Sequence, residues 1–369
     1  MSLPRTPSSD SIDGENHALH RVGSRKAIRN VFTALIPASV SSYLCVKGTP
    51  LQNSIDVSIV IVNWRSAEFL RKCLATIYAQ TRSVRFEVIV IDNASFDGSA
   101  EMVEREFPRV QFIQAKENLG FAKANNLAFN HSRGRTICFL NPDTEILDAA
   151  IENLIDCLES HADAGVVGAK LLNSDLSLQT SCVQSYPTVL NQLLDADFFR
   201  RLFPKSSLWG TRPLFEAGQK SALAEVVSGA CFLVRRATFE QVAGFTERYF
   251  MYAEDVDLCY KAKLAGWNVY YHPGAHVIHH GGQSSSKNAN AFATVMTRQS
   301  LYTFLKTTRG KGYAFLYRGS MLIAAVARLL LLAMVMVVTL GQFERESVPL
   351  AFQKWSSVFQ WAIGLNAVR

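Results

Sequence analysis

A short acidic segment, Glu254-Asp255-Val256-Asp257-Leu258, carries residues suited to acid–base chemistry. It follows an aromatic block, Tyr249-Phe250-Met251-Tyr252. Carboxylates held against aromatic surface lose part of their hydration, which raises their pKa and makes one of them a candidate proton acceptor near neutral pH. The same segment opens a stretch with helical spacing of apolar residues, and acids favour the first turn of a helix for electrostatic reasons alone. Catalysis and helix stabilisation both account for these residues, so the rest of the chain must decide between them.

The elements that could position these acids follow from the apolar pattern. Segments with helical spacing at 70–78, after Gly98 and at 121–131 alternate with apolar runs of strand length. This alternation predicts an α/β fold with a doubly wound, mainly parallel sheet. The predicted strands are 57–62, 86–91, 110–113, 136–140, 166–168, 225–234 and 267–271.

Polar and aromatic residues follow several of the predicted strands. Asn63 and Trp64 come after the first strand, Asp92 after the second, and Asn141 and Asp143 after the fourth. Ligands of such sheets bind at the carboxyl ends of the strands, so these are candidate site residues. The glycine fingerprint of dinucleotide-binding proteins and the P-loop are both missing, so these two classes lose their main support.

The composition indicates a globular chain with a basic surface. Of the 369 residues, 49% are hydrophobic, and the formal net charge is +7. That charge suits an anionic partner, such as a nucleotide, a lipid headgroup or a nucleic acid, without choosing among them. The seven cysteines are scattered and have no zinc-ligand spacing, which predicts reduced, buried thiols of a cytosolic domain.

Three segments lie outside the α/β pattern. Residues 1–53 are predicted to be a flexible basic arm, in which the apolar run 31–44 fits a surface helix or a membrane-touching flap. The aromatic, loop-rich segment 173–222 fits an acceptor-facing lid or an ordinary insertion. Residues 319–341 are almost wholly apolar apart from Arg328 and long enough to cross a bilayer. An interfacial or re-entrant helix is the alternative, and a core helix is the least favoured.

Residues 56–285 resemble an inverting family-two glycosyltransferase of the GT-A fold, most closely its bacterial rhamnosyltransferase-like branch. Each motif is weak alone, but seven of them stand in the family's order. The resemblance implies a GT-A domain at 54–310, with a nucleotide-binding half at 54–145 and an acceptor half at 146–285, followed by a hydrophobic, membrane-associated region at 311–369. The motifs occupy residues 57–70, 91–99, 118–126, 140–143, 228–230, 254–258 and 279–282.

The resemblance implies that Asp92 accepts the imide N–H of uracil or thymine in a pocket lined by Asn63 and Trp64. The alternatives are a turn-forming Asp92 paired with Asp97 and a core position for Trp64.

The resemblance also implies a diphosphate site at the start of the helix at 121–131. Asn118 and Gly120 precede that helix, whose free N–H groups can meet the diphosphate. Lys123 would add charge there, although a solvated lysine is equally consistent with the sequence.

By the same resemblance, Asn141-Pro142-Asp143 replaces the D-x-D that holds a divalent metal in many GT-A enzymes. Asp143 would be a hard oxygen ligand for Mg²⁺ or Mn²⁺, and the neutral Asn141 a poorer one. His279 would supply a further ligand; its alternative is a histidine satisfied within its loop.

The resemblance also implies roles in sugar transfer for the acidic segment 254–258. Asp255 would be the single base of an inverting transfer, Glu254 would orient it or bind the acceptor, and Asp257 would cap the helix. The cation would stabilise the departing diphosphate.

The sequence therefore predicts a metal-dependent transferase that moves a sugar, with dTDP-rhamnose as one candidate donor, to a lipid-linked or cell-surface glycan. The predicted partners are the nucleotide sugar, a glycan or polyprenyl-linked acceptor and the cytoplasmic face of the cell membrane, with no nucleic acid. A nucleotidyltransferase is one alternative, but it requires a glycine- and arginine-rich loop after the first strand, which residues 63–66 do not provide. A non-catalytic scaffold is another, but the acids and Asp143 are retained.

Overall fold

A computed structural model describes residues 54–194, 206–210, 220–281, 289–338 and 347–365. The predicted arm at 1–53 lies outside these residues. So do positions 195–205 and 211–219 of the predicted lid, and Gly282 of the last motif.

The centre of the fold is a sheet that has nine strands within the described residues, in the order β3-β2-β1-β4-β10-β6-β11-β5, with β8 paired to β11. β7 and β9 form a separate two-stranded sheet. The strands are β1 Val57–Asn63, β2 Phe86–Asp92, β3 Gln111–Gln114, β4 Thr136–Leu140, β5 Thr144–Ile146, β6 Ala164–Leu172, β7 Val183–Gln184, β8 Ala222–Ala224, β9 Val226–Val227, β10 Cys231–Arg235 and β11 Asn268–His279.

Helices cover this sheet and extend beyond it at the C-terminal end. They are α1 Ala67–Gln80, α2 Ser99–Glu106, α3 Phe121–Phe129, α4 Ala150–Ser160, α5 Val189–Leu194, α6 Arg236–Gln241, α7 Glu254–Leu264, α8 Ala289–Arg309, α9 Lys311–Val338 and α10 Ser347–Ala362. Short 3₁₀ turns lie at Thr180–Cys182 and Ser207–Trp209.

The predicted doubly wound sheet is confirmed. β3, β2, β1 and β4 are parallel neighbours, and β6 pairs parallel with β11. Every residue of β1 and β4 is buried, as expected for strands covered on both faces. β10 is the exception in the middle, because it runs antiparallel to both β4 and β6.

The prediction of one continuous strand over 225–234 is wrong. The chain forms β9 and β10 with a break at residues 228–230. At the break the N–H of Gly229 donates to the carboxylate of Asp255 at 2.8 Å instead of joining a strand ladder. The last core strand is longer than predicted and continues to His279, with a register shift between His272 and His276. Pro273 lies within that irregular stretch and has no N–H to donate.

Residues 319–338 of the apolar segment predicted at 319–341 belong to α9, which begins earlier, at Lys311; residues 339–341 lie outside the described residues. Among the described residues, α9 is the one helix long and apolar enough to cross a membrane. One face of it is buried against α8 and α10, and its other residues are mostly exposed or half-buried. The buried face consists of Ala314, Tyr317, Met321 and Ala325.

Candidate active site

One edge of the sheet gathers the predicted site residues. Asn63 ends β1, Asp92 ends β2 and His279 ends β11, and Asn141 directly follows β4. These strands point the same way, so their carboxyl ends share an edge. β10 runs the other way and brings its beginning to this edge, where the N–H of Asn141 donates to the carbonyl of Ala230 at 2.9 Å.

Asp92 lies almost fully buried at this edge, with 1% of its surface exposed. Its Oδ1 accepts from Asn63 Nδ2 at 2.7 Å. Its Oδ2 accepts from the Ser95 N–H at 2.8 Å and from Gln114 Nε2 at 2.7 Å. The Ser95 contact closes the turn after β2, as the turn-forming alternative requires. Base recognition by Asp92 remains a prediction, and a base would have to share a carboxylate that already accepts three hydrogen bonds.

The two residues predicted to line the base pocket differ in exposure. Asn63 is fully buried, and its Nδ2 also donates to Ser99 Oγ at 3.0 Å. In this arrangement Asn63 holds Asp92 in place and does not line an open surface. Trp64 is half-buried, with the guanidinium of Arg65 at 5.3 Å from the ring centroid, so it is not a core residue.

Asp97 does not pair with Asp92 as the turn-forming alternative supposed. Its carboxylate instead accepts from the backbone N–H groups of Ala67 and Ser99, at the beginnings of α1 and α2. Asp97 therefore organises two helix starts beside the site.

The predicted diphosphate loop is joined to the aromatic block that precedes the acids. Gly120 has a φ of +77°, and a Cβ built on it would lie 2.5 Å from the carbonyl oxygen of Phe250. That oxygen accepts from the N–H of Phe121, the first residue of α3, at 2.7 Å. Asn118 closes the loop, because its Oδ1 accepts from the Gly120 N–H at 2.9 Å. Lys123 is exposed on α3, as a solvated lysine would be.

Asn93 braces the same loop from the end of β2. Its Nδ2 donates to the Gly120 carbonyl at 3.1 Å, and its Oδ1 accepts from the Leu119 N–H at 3.3 Å. Because Asn93 follows Asp92 directly, the uracil or thymine site and the diphosphate site predicted from the sequence share one support.

The two predicted metal ligands come together from 136 positions apart in the chain. His279 Nε2 lies 3.5 Å from Asp143 Oδ1 and 3.4 Å from Asn141 Nδ2. On the other side of the ring, His279 Nδ1 lies 2.8 Å from Gln179 Oε1. Gln179 Oε1 can only accept, so Nδ1 carries a proton, and in the neutral imidazole Nε2 presents a lone pair toward Asp143.

This arrangement fits a divalent cation. A lone pair and a carboxylate oxygen that face each other at 3.5 Å repel unless a positive charge lies between them, and octahedral ligands about 2.1 Å from an ion are themselves about 3 Å apart. Within the described ranges, no cluster of three or more His, Cys, Asp or Glu side chains is arranged to hold a metal ion. Asp143 and His279 would therefore hold an ion that takes its other ligands from phosphate oxygens and water, as Mg²⁺ commonly does.

Gln179 is a site residue that the sequence did not reveal. It lies in the segment 173–222, and its Nε2 donates to the His279 carbonyl at 3.3 Å while its Oε1 orients the ring. Such partners fix the tautomer and direction of a ligand histidine. No motif marks Gln179, because its role depends on a loop that returns to β11.

The acids begin α7 after two residues in the left-handed conformation, Tyr252 at φ 68° and Ala253 at φ 61°. Such backbone strain in residues other than glycine is concentrated at functional sites. Burial and the neighbouring Asp255 charge raise the pKa of Glu254 to about 8. Oε2 of Glu254 is buried and has no hydrogen-bond partner in the described part of the chain.

Asp255, unlike Glu254, has a hydrogen-bond donor on each carboxylate oxygen. Its Oδ2 accepts from the Gly229 N–H and its Oδ1 from the Val256 N–H, both at 2.8 Å. Burial raises the pKa of Asp255, and these two N–H groups oppose the rise. Because Glu254 has no such donors on Oε2, the negative charge of the pair is favoured on Asp255 and the proton on Glu254.

The prediction that Asp257 caps α7 is wrong. No side chain caps this helix, and the Asp257 carboxylate instead accepts from Thr246 Oγ1 at 2.6 Å and lies 3.5 Å from Lys261 Nζ. Asp257 therefore fastens the loop before α7 to the helix itself.

A cavity of about 220 Å³ opens over Glu254 and Asp255. Its wall includes Gln184, Ser185 and Trp209 from the predicted lid, and Thr297 and Leu301 from α8. The described part of the lid therefore borders the acids, as an acceptor-facing segment would. The lining is polar near the acids and aromatic or apolar at Trp209 and Leu301, a combination that suits the faces of a sugar.

Comparison with known proteins identifies the class of this protein as a glycosyltransferase. The family model for glycosyl transferase family 2 matches residues 58–242, and the chain belongs to that family. The N-acetylglucosaminyl-diphospho-decaprenol L-rhamnosyltransferase of Mycobacterium tuberculosis is 30% identical over 264 residues, which cover 67% of this chain and 83% of the relative. The rhamnosyltransferase WbbL of Escherichia coli is 25% identical over 233 residues, which cover 61% and 83% of the two chains.

Solved structures agree on the fold. The mannosyltransferase PcManGT from Pyrobaculum calidifontis, solved with GDP-Man and Mn²⁺, superposes with a TM-score of 0.54 at 16% identity. The match covers 85% of this chain and 88% of that one.

Proposed function

We propose that this protein transfers a sugar, with inversion, from a nucleoside-diphosphate donor to a lipid-linked acceptor, and that dTDP-rhamnose is its donor. The observation that carries the proposal is the short hydrogen-bonded connection between the loop that carries Asp143, beside His279, and the carboxylate of Asp255. The Asn141–Ala230 hydrogen bond and the Gly229–Asp255 hydrogen bond connect the two sides of this site through neighbouring residues. The rhamnosyl donor and the polyprenyl-linked acceptor are taken from the names of the two relatives.

In the proposed mechanism Asp255 accepts the proton of the attacking hydroxyl. The two backbone N–H groups that hold its oxygens keep it ionised and fix its direction before the acceptor arrives. Glu254, protonated near neutral pH, lines the cavity beside Asp255 and is proposed to donate a hydrogen bond to the acceptor. The hydroxyl oxygen attacks the anomeric carbon on the side opposite the departing diphosphate. The configuration is therefore inverted without a covalent intermediate.

Asp143 and His279 would hold Mg²⁺ or Mn²⁺ against the donor diphosphate, and Asn141 would contribute its amide. When bound, the cation supplies the positive charge that stabilises the departing diphosphate. Gln179 keeps the His279 ring turned toward Asp143, so the ligand pair is ready before the donor binds. Asp92, Trp64, Asn118, Gly120 and Lys123 are proposed to surround the nucleotide, with Asn63 supporting Asp92.

The cavity over the acids is proposed to take the terminal sugar of the acceptor. Polar side chains of the lid line this cavity together with Asp255, and Trp209 and Leu301 offer an apolar surface for stacking. We further propose the boundaries predicted from the sequence, with the GT-A domain at 54–310 and the membrane-associated region at 311–369, and a location at the cytoplasmic face of the cell membrane.

The test is a donor screen with the purified full chain. Release of dTDP from dTDP-rhamnose is measured with Mg²⁺ or Mn²⁺ and with N-acetylglucosaminyl-diphospho-polyprenol as acceptor, and the product is identified by mass spectrometry. UDP-sugars serve as competing donors. Transfer that requires the acceptor and is lost in Asp255→Asn supports the proposal. Transfer from UDP-sugars alone would overturn the donor assignment, and no transfer from any donor would overturn the function.

A further inference from the structure

The last three helices form a surface that the catalytic site does not use. α8, α9 and α10 pack on one another. Their sequences contain no acidic residue, whereas α8 and α9 each contain three Lys or Arg residues and α10 contains one. The outward face of α9 is apolar and exposed, at 72% for Ile323 and 67% for Leu330. Phe352 on α10 adds to the same kind of surface, at 47% exposed.

The position of α9 against the domain limits how deep it can reach into a bilayer. Tyr313 Oη accepts from the backbone N–H of Val189 at 3.2 Å, and Arg328 donates to the carbonyl of Leu193 at 3.5 Å. Between those two contacts, about 22 Å of helix lies along the protein. Of the described residues beyond Arg328, 329–338 add about 15 Å of helix, which is half of a hydrocarbon core about 30 Å thick.

The contacts of α10 lead the chain back to the same side. The guanidinium of Arg328 lies 4.1 Å from the centre of the Trp355 ring. Arg318 lies 5.5 Å from the ring centre of Trp361 and donates to the carbonyls of Trp361 and Ala362 at 2.9 Å. Trp361 Nε1 in turn donates to Gln299 of α8 at 2.9 Å. α10 therefore runs antiparallel to α9, and its C-terminal end lies beside α8.

These contacts also explain how α9 carries two arginines. Both guanidinium groups stack on aromatic rings of α10 and donate hydrogen bonds to backbone carbonyls. Neither group therefore faces the exposed apolar side. Neither side chain therefore has to reach the membrane surface to keep its charge out of the acyl chains.

From this geometry we propose that α9 and α10 lie side by side in one leaflet of an anionic bilayer, along its surface, without crossing it. The exposed apolar face meets the acyl chains. The exposed basic residues at the junction of α8 and α9, Lys306, Arg309 and Lys311, meet anionic headgroups. The lack of acidic residues in all three helices favours a lipid surface over a second copy of the chain, whose matching helices would bring like charges together.

The same helices border the acceptor cavity. Gln192 lines the cavity and accepts from Arg298 Nη1 at 3.0 Å, and that nitrogen also lies 3.5 Å from the Tyr317 hydroxyl of α9. A lipid-linked sugar could thus reach the acids from the membrane surface without leaving its leaflet. This step alone rests on the proposed function.

The first test is flotation of the full chain with vesicles of phosphatidylethanolamine and phosphatidylglycerol. We expect the double variant Ile323→Glu/Leu330→Glu to reduce the bound fraction about tenfold or more, and Leu223→Glu, an equally apolar residue exposed on β8, to leave it unchanged. Thermal unfolding of each variant verifies the fold. Equal flotation of the double variant and the parent would overturn the proposal. So would a vesicle-free dimer of the parent that the double variant dissociates, because the face would then bind a second copy.

The second test asks whether the chain crosses. Lys306→Cys and Lys354→Cys, each in a chain with Cys45→Ser, are labelled by a membrane-impermeant maleimide in inverted vesicles from expressing cells. The six cysteines of the described residues are buried. We expect both sites to react in the same vesicles, and reaction of one only after detergent would overturn the proposal. Rhamnose transfer to a water-soluble acceptor analogue is measured in parallel, because its loss with flotation intact would refute the proposed function alone.

Discussion

The carbonyl oxygen of Phe250 accepts a hydrogen bond from the N–H of Phe121 at 2.7 Å, across 129 positions of the chain. It joins the first helical residue after the predicted diphosphate loop to the aromatic block before the acids. The contact is possible because Gly120 leaves room for the Phe250 carbonyl. The predicted donor and acceptor sides of the site are thus attached to each other through the backbone.

Gly120→Ala is expected to disturb this attachment. The added Cβ meets the Phe250 carbonyl, and a positive φ costs an alanine about 1–2 kcal/mol in addition. We expect a lower Tm and a higher KM for the donor. Gly98→Ala is the matched control, because Gly98 has a φ of +86° and open space around its Cβ position. Equal effects of the two variants on Tm and KM would mean that the Phe250 contact is unimportant.

Asp255→Asn is expected to lower kcat by about 10²–10⁴-fold, because the variant lacks the base while its amide oxygen can still accept a backbone N–H. Donor affinity, measured by calorimetry with dTDP and Mn²⁺, should stay within about threefold of the parent. Asp175→Asn, at an exposed turn, serves as the control. A kcat close to that of the parent would assign proton removal to another group.

The pH dependence of stability should report on Glu254. Its pKa is raised to about 8 in the folded protein and is near 4.5 when unfolded, so the folded state holds the proton more tightly. The stabilisation from Glu254 is complete below about pH 4.5 and is lost as pH rises to about 8.

Glu254→Gln removes that dependence. The Tm of the variant relative to the parent should therefore increase between pH 5 and pH 9, as followed by thermal denaturation. Glu101→Gln, at an exposed site on α2, should track the parent. A constant Tm difference between Glu254→Gln and the parent across that range would contradict the buried, protonated state of Glu254.

Gln179→Leu is expected to weaken Mn²⁺ binding by about 10–100-fold, because the His279 ring loses the acceptor that fixes its direction. Gln179→Glu keeps an acceptor oxygen and should recover most of the affinity. Titration of Mn²⁺ in the presence of dTDP, followed by electron paramagnetic resonance, measures both variants. If Gln179→Leu bound Mn²⁺ as tightly as the parent, Gln179 would be only a loop residue.

Much of this architecture could be predicted from local sequence. The continuous apolar runs predict the parallel strands because strands covered on both faces need no polar residue. Strand-end placement then brings Asp92, Asn141 and His279 to one edge, although they are far apart in the chain. The resemblance to family two supplied the pairing of Asp143 with His279.

Other features depend on contacts that sequence pattern does not encode. Gly229 turns away from the sheet because the Asp255 carboxylate accepts its N–H, so an apolar run that looks like one strand becomes two. Asp257 lies four residues after the N-cap position, Ala253, and accepts from Thr246 instead of capping the helix. In the sequence, Arg328 is an unfavourable charge in an apolar helix. In the structure, the ring of Trp355 from the next helix lies over its guanidinium.

The break between β9 and β10 has a mechanical consequence. Asn141 is bonded to Ala230, and Gly229 to Asp255, so only two residues, Gly229 and Ala230, connect the loop that carries Asp143 with the carboxylate that would take the proton. We expect thermal motion of the lid or of the C-terminal helices to change access to the cavity. The same motion should leave the distance between Asp143 and the Asp255 carboxylate nearly constant. Enzymes with this fold could then differ in acceptor through their surrounding loops, while the positions of Asp143 and Asp255 stay the same.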